Sequence, residues 1–380
     1  MQSAYGMTIS LVARWSALGI VGVTLACGTN EIPDVGGSNR TTITTCNGCT
    51  KLPAGWLFTS GARILISDGK GGGSAFHGRG ANLQDTRGCV ACLWDAEESP
   101  QEVMRRADEL IDRWGANFVR LTLESHAPGS QPFAKHGDSI LADDAYFSSI
   151  IDIVRHMTAK GVVVLVSLWI EPTFDEFGAP TVETDNVWRK LAGAFVDEPG
   201  VMFGICNEPE YNFDGARDAI VWAALNRAAS VIREVEQSAG AANHVILAQG
   251  LGDWARRLDY FVDHPISAGD GGNIAYEIHY YNPIGDLDRL LAGPAATLPV
   301  VIGEFGPIDE PDAPTMTLED CRQLMDFAMS KEIPFLAWTF HQNCPPNLIE
   351  NDVGDACGVG MELRPTAWGR LLQEYLAKAW

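Results

Sequence analysis

Beyond residue 53 the chain alternates short apolar, β-branched runs with longer stretches of helical spacing. The first four strand candidates are FHGRGAN (76–82), ANFVRLTL (116–123), VVVLVSLW (162–169) and VMFGICN (201–207). Four more follow as HVILAQG (244–250), IAYEIHYY (274–281), PVVIGEF (299–305) and PFLAWTF (334–340). Continuous apolar runs of this length are what parallel strands buried on both faces require. The helices between them carry start and stop signals. Ser99-Pro100-Gln101-Glu102 reads as a capping box with proline at the first helical position. Val103, Met104, Ala107, Leu110, Ile111 and Trp114 then recur at helical spacing until Gly115. The stretch 216–237 places Val221, Leu225, Ala228, Ile232 and Val235 on one face, and Thr317 opens a further helix that stops before Pro334. Eight β-then-α units predict an α/β fold, a single (β/α)8 TIM barrel. RILISDGKGG (63–72) reads as a hairpin strand and turn closing the bottom of that barrel.

The first residues follow a different pattern. Arg14 is the only early positive charge, and the apolar run WSALGIVGVTLA leads from it to Ala26-Cys27. That run suits a signal-peptide core, is too short to span a bilayer and lacks amphipathic spacing. The small residue before Cys27 is similar to a bacterial lipoprotein cleavage site. The predicted organisation is therefore a signal peptide (1–27), a Gly/Thr-rich tether (28–52) and the barrel (53–380). Export to the cell surface or medium is expected, with membrane contact only through a lipid on Cys27 and the barrel acting as a monomer.

Composition narrows the partners. A net charge of -22 opposes nucleic acid and anionic membrane surfaces. Among the nine cysteines, Cys46/Cys49 and Cys89/Cys92 form C-x-x-C pairs and Cys344/Cys357 bracket a loop. In an exported chain these favour disulfides over zinc. Cys206, inside an apolar run, reads as a buried free thiol.

Candidate chemistry collects where apolar runs end. Glu208 follows the fourth run and Glu304 closes the seventh, the ends at which barrels carry function. Arg120, Asn207, His279, Tyr281 and Trp338 lie at or near other strand ends. Strand alternation puts Glu277, His279 and Tyr281 on one side, so a buried Glu277 needs a partner, for which Arg120 is the candidate. Two carboxylates across one pocket suit glycosidic bond cleavage, one giving a proton to the leaving oxygen and the other attacking the anomeric carbon. Arg120 is expected to keep Glu304 ionised and Tyr281 to donate a hydrogen bond to it, while a less cationic, partly desolvated setting keeps Glu208 protonated. Trp338 is expected to offer a flat apolar face for a pyranose ring. Glu124 and Glu171 read as solvated loop carboxylates. His77, His126, His136 and His341 show no ligand spacing, so neither a metal nor another cofactor is expected.

These residues, taken together, resemble the family 5 glycoside hydrolases of clan A over essentially all of residues 53–380. GRGAN resembles the family's Gly-x-Asn stretch, NFVRLTL carries its strand-two arginine as Arg120, and CNEPE carries its Asn-Glu-Pro signature. IHYYNP is similar to its His-x-Tyr motif, IGEFG to its nucleophile strand and AWTF to its strand-eight tryptophan. The resemblance implies Glu304 as nucleophile, Glu208 as acid/base, Asn207 as a hydroxyl-holding residue, retention of configuration and no cofactor. One position departs: members place a histidine at the end of strand three, where this chain has Trp169. Trp169 either stacks on a sugar, rearranging the glycone site, or packs against a loop. The expected substrate is a neutral β-linked polysaccharide, with β-glucan favoured over β-mannan. A non-catalytic carbohydrate-binding barrel is the rival from another class.

Overall fold

The computed structural model describes residues 52–87, 99–124, 140–209, 214–252, 254–309, 315–354 and 358–380. The predicted signal peptide, most of the predicted tether, Cys46/Cys49, Cys89/Cys92 and Cys357 lie outside them. The described chain begins with a three-stranded antiparallel sheet, β1 (Leu57–Ser60), β2 (Arg63–Ser67) and β3 (Gly73–Ala75). Eight further strands close a barrel: β4 (Arg79–Gln84), β5 (Phe118–Glu124), β6 (Val163–Ile170), β7 (Val201–Gly204), β8 (Val245–Gln249), β9 (Ile274–Tyr280), β10 (Val300–Phe305) and β11 (Phe335–Ala337). All eight neighbouring pairs are parallel, which is the predicted (β/α)8 architecture. The predicted strands all exist, with ends shifted by a few residues. The first starts at Arg79, because Phe76 instead fills the barrel bottom.

Helices α1 (Pro100–Asp108), α2 (Asp144–Thr158), α3 (Thr184–Phe195), α4 (Asp218–Ala239), α5 (Asp259–Asp263), α6 (Gly293–Ala295), α7 (Leu318–Ser330) and α8 (Ala367–Leu376) connect or follow the strands. Ser99 caps α1 by accepting from the Glu102 N–H at 3.2 Å. The helix then widens into a π-helical turn and ends at Gly115, whose φ of +86° only glycine adopts at low cost. Thr317 and Asp320 form a reciprocal capping box on α7.

Alternation along the strands divides the barrel interior into two levels. Phe118, Leu165, Met202, Leu247, Ala275, Val301 and Leu336 form the lower, apolar level, together with Leu57 and Ile64 from the antiparallel sheet and with Phe76. That sheet is the predicted bottom plug, and Thr59 N–H donating to Asn273 Oδ1 at 3.1 Å pins it in place. One step further along the same strands come Asn82, Arg120, Ser167, Gln249 and Glu277, all fully buried. The inward side chains thus change from hydrocarbon to hydrogen-bonding groups within about 7 Å of strand. The opposite strand faces, with Leu83, Leu121, Val164, Val166 and Ile246, belong to the outer core packed beneath the helices.

Candidate active site

An open groove of about 640 Å³ lies at the plugged end, lined by Thr59, Ser267, Asp270, Tyr276 and Leu298 among others. It has a single acidic side chain and no partner for it to react with, so the chemistry belongs at the other end. There, Arg120 is the hub. Its guanidinium is fully buried and donates to Glu304 Oε1 (2.5 Å), Asn82 Oδ1 (2.9 Å) and Asn207 Oδ1 (2.8 Å), while its Nε lies 3.1 Å from Glu277 Oε1. Burial of this cation is offset by two carboxylates, which hold its pKa up against desolvation. Glu277 has the partner predicted for it. Burial pushes its carboxyl up, but Arg120 and His279 hold it below the usual range.

His279 is also fully buried. Its Nδ1 lies 2.8 Å from Glu208 Oε1 and 3.5 Å from Glu304 Oε2, and its Nε2 lies 3.2 Å from Glu277 Oε1. Burial lowers the pKa of an imidazole, but three surrounding carboxylates overcome this and raise it to about 9. Tyr281 Oη donates to Glu304 Oε2 at 3.1 Å, and burial beside carboxylates pushes that phenol far up, so it stays a donor. Glu304 sits on a bulge where β10 slips register against β9. Burial raises its carboxyl, with His279 and Arg120 opposing the rise. Glu304 was expected to be the carboxylate held low and Glu208 the one pushed up. Depth explains why Glu304 is instead pushed up, since its side chain is buried.

Glu208 lies beyond the end of β7, in a left-handed backbone conformation with φ of +48°. The structure therefore brings together Arg120, Asn207, Glu208, His279, Tyr281 and Glu304 as predicted. Two further expectations need correction. Trp338 was expected to offer an open ring face, but it is only 5% exposed and packs with Cys344, Tyr281 and Trp169. The Trp169 and Trp338 rings lie 5.3 Å apart at 54°, so the half-buried Trp169 covers part of that face. Glu124 and Glu171 are buried, not solvated. Glu124 N–H donates to Asp85 and to Tyr146 of α2, and burial beside Asp85 raises its carboxyl well above the usual range. Cys206 is a buried free thiol as predicted, and Cys344 is in a disulfide.

Two residues of the site were not singled out from sequence. Asn82 ties Arg120 to the Gly303 and Ala337 carbonyls, and Gln249 accepts from the Glu208 N–H at 2.6 Å. Both were visible as polar residues in apolar runs. Glu208, His279 and Glu304 also bring one donor atom each within 4.8 Å of one another, a spacing a divalent cation can bridge. A metal would need the His279 lone pair, and protonation of that ring together with the Arg120 charge opposes it.

The profile of the cellulase family (glycosyl hydrolase family 5) matches residues 74–344, the span from the bottom sheet to the loop after β11. The chain belongs to that family. Its fold is the TIM barrel expected from the sequence. An endoglucanase of Halalkalibacter akibai is 23% identical over 176 residues, 45% of this chain and 20% of that protein, so the match spans about a fifth of the relative's length. Among solved structures, a β-glucanase from Saccharophagus degradans in complex with cellotetraose superposes with a TM-score of 0.63 at 19% identity, covering 84% of this chain and 92% of that one. A Thermobifida fusca endoglucanase catalytic domain gives 0.63 at 16% identity, covering 86% and 98%. A Streptomyces thermolilacinus β-mannanase with mannohexaose gives 0.60 at 20% identity, covering 86% and 99%. At these identities the likeness is one of fold.

Proposed function

We propose that this family 5 hydrolase cleaves a neutral β-linked polysaccharide with retention, Glu304 attacking and Glu208 serving as acid and base. The observation that carries the reading is the closeness of the two carboxyl groups, one oxygen of each lying within 4.8 Å of the other. Retaining enzymes hold them about 5–5.5 Å apart, whereas inverting enzymes leave about 6.5–9.5 Å for a water. Glu304 accepts from Arg120 and Tyr281, which fix its oxygens and favour its ionised form. Glu208 is the more exposed of the two and can exchange protons with water. Charge counting gives the pair one proton to share. Glu208, Glu277 and Glu304 face the cations Arg120 and His279, so one proton on the Glu208/Glu304 pair neutralises the site. The free enzyme then carries one acid and one nucleophile.

In the first step, a Glu304 oxygen bonds to the anomeric carbon as the glycosidic bond breaks and the Glu208 proton passes to the leaving oxygen. In the second, Glu208 takes a proton from water, whose oxygen displaces Glu304 from the same carbon. Asn207, held by Arg120, is placed beside Glu208 to bind a sugar hydroxyl, and the Trp169/Trp338 pair forms an apolar wall.

A β-glucan is the favoured substrate, supported by the relatives named glucanase or endoglucanase. β-Mannan is the second reading, because a β-mannanase superposes nearly as well. Export is part of the proposal, supported by the disulfide at Cys344, a bond of oxidising compartments. The test is reducing-sugar release from β-glucans and β-mannans by wild type, Glu208→Gln and Glu304→Gln, with the anomer first formed read by NMR. Activity on one polymer, lost in both variants and giving the β-anomer first, is expected. Survival of activity in either variant overturns the site. Binding without cleavage by wild type would indicate the carbohydrate-binding alternative.

A further inference from the structure

Glu208 holds an unfavourable backbone shape. A left-handed conformation at a residue with a long side chain is strained and persists only where surroundings over-determine it. On one side the preceding Asn207 is gripped by Arg120 through its side chain. On the other, the Glu208 N–H donates to Gln249 Oε1 at 2.6 Å. Gln249 ends β8, is fully buried and has no route to solvent.

The orientation of the Gln249 amide is settled by its surroundings. Turning it over would set its NH2 against the Glu208 N–H. With Oε1 committed there, Nε2 lies 3.1 Å from His279 Nε2 and hydrogen-bonds to Glu277, the register partner of Gln249 on β9. His279 Nε2 converges on the same carboxylate at 3.2 Å. One amide thus joins the Arg120–Glu277–His279 level to the main chain of Glu208. His279 reaches the Glu208 carboxylate from the side, so main chain and side chain of Glu208 are fixed from one network.

We propose that Gln249 is a positioning residue for proton transfer: it holds the Glu208 backbone so that the carboxyl is aimed at the leaving oxygen. The inference rests on the reading of Glu208 as acid/base. It makes a distinction that a merely structural role would not make. Departure of a strongly acidic phenol needs no proton, whereas departure of phenol or of a sugar hydroxyl does. Loss of aim therefore harms poor leaving groups selectively, while loss of fold harms all alike.

The experiment compares kcat/KM on dinitrophenyl and phenyl β-glycosides of the sugar that the active polysaccharide contains. Gln249→Met keeps volume and removes both polar atoms; Gln249→Asn keeps the amide but withdraws it by one methylene. Each is expected to raise the dinitrophenyl-to-phenyl ratio about 10- to 100-fold over wild type, part of what general acid catalysis supplies. If Gln249→Met does not fold, Gln249→Asn decides the matter. An unchanged ratio in the folded variant, whether activity is kept or lost on both substrates, overturns the proposal. Glu208→Ala is the control for the underlying reading: it must steepen the ratio itself, and if it does not, the acid/base assignment fails independently of Gln249.

Discussion

The Glu277 carboxylate lies directly against the backbone of Gly303, so that a methyl group on that glycine would stand 2.0 Å from Glu277 Oε1. Gly303 is the residue at which β10 slips register, and its neighbour is Glu304. Absence of a side chain there lets the strand approach the Arg120–Glu277 pair closely enough for Glu304 to reach Arg120. Gly303→Ala must push Glu277 aside in a fully buried layer. The expected cost is about 1–3 kcal/mol or somewhat more in urea unfolding, because nothing around Glu277 can yield. Activity is expected to fall further than stability explains, since Arg120 moves with Glu277. Wild-type stability in the alanine variant would show that the layer is softer than this packing implies.

Arg120 balances two buried carboxylates, so its removal and its replacement as a pair have different outcomes. Arg120→Met leaves Glu277 and Glu304 without their cation and should cost about 3–5 kcal/mol. Adding Glu277→Leu removes one of the stranded charges and should recover much of that loss. Activity should not return, because Glu304 still lacks the donor at 2.5 Å. Denaturant melts and kcat on the four members of this cycle separate the two roles. Recovery of activity in the double variant would place Arg120 outside the chemistry.

Much of this network was legible as polar residues interrupting apolar runs. Glu208 and Glu304 stood out because a charge at the end of a buried strand demands an explanation, and period-two alternation put Glu277 under His279. Gln249 stands near the end of HVILAQG by the same rule, but a neutral amide raises no comparable alarm. The burial of Glu124 could not be read locally, because it depends on Tyr146 arriving from α2 and on Asp85 at the end of the neighbouring strand. Trp338 was misjudged for a similar reason. An apolar ring at a wet rim finds cover where it can, and the cover comes from Trp169, three strands away around the barrel.

Trp169 decides between the two roles left open for it. If it only packs on Trp338, Trp169→Ala lowers stability and leaves KM for the polysaccharide unchanged. We expect binding to suffer as well, by about 1.4 kcal/mol, or roughly tenfold in KM, because the half-buried ring supplies the accessible part of the aromatic wall. Trp169→Phe should recover most of the loss. An unchanged KM with lowered thermal stability assigns Trp169 to packing alone.

His279 makes stability depend on pH in a definite direction. Its pKa in the folded barrel is about 9, above the ordinary imidazole value of 6.5, because Glu208, Glu277 and Glu304 surround it. The folded state therefore binds its proton more tightly than the unfolded chain does. The resulting stabilisation is fully present below the unfolded value, declines as pH rises past it and is gone above the folded one. Its size is on the order of 3 kcal/mol. Urea unfolding between pH 6 and pH 10 should show that decline, and His279→Gln, which cannot take up the proton, should flatten it. Activity should fall over the alkaline end of the same window, because loss of the imidazolium removes a cation from beside Glu208 and Glu304 together. A stability profile that stays level across this range in wild type would mean that His279 is neutral in the folded barrel, and that the carboxylates around it hold an additional proton instead.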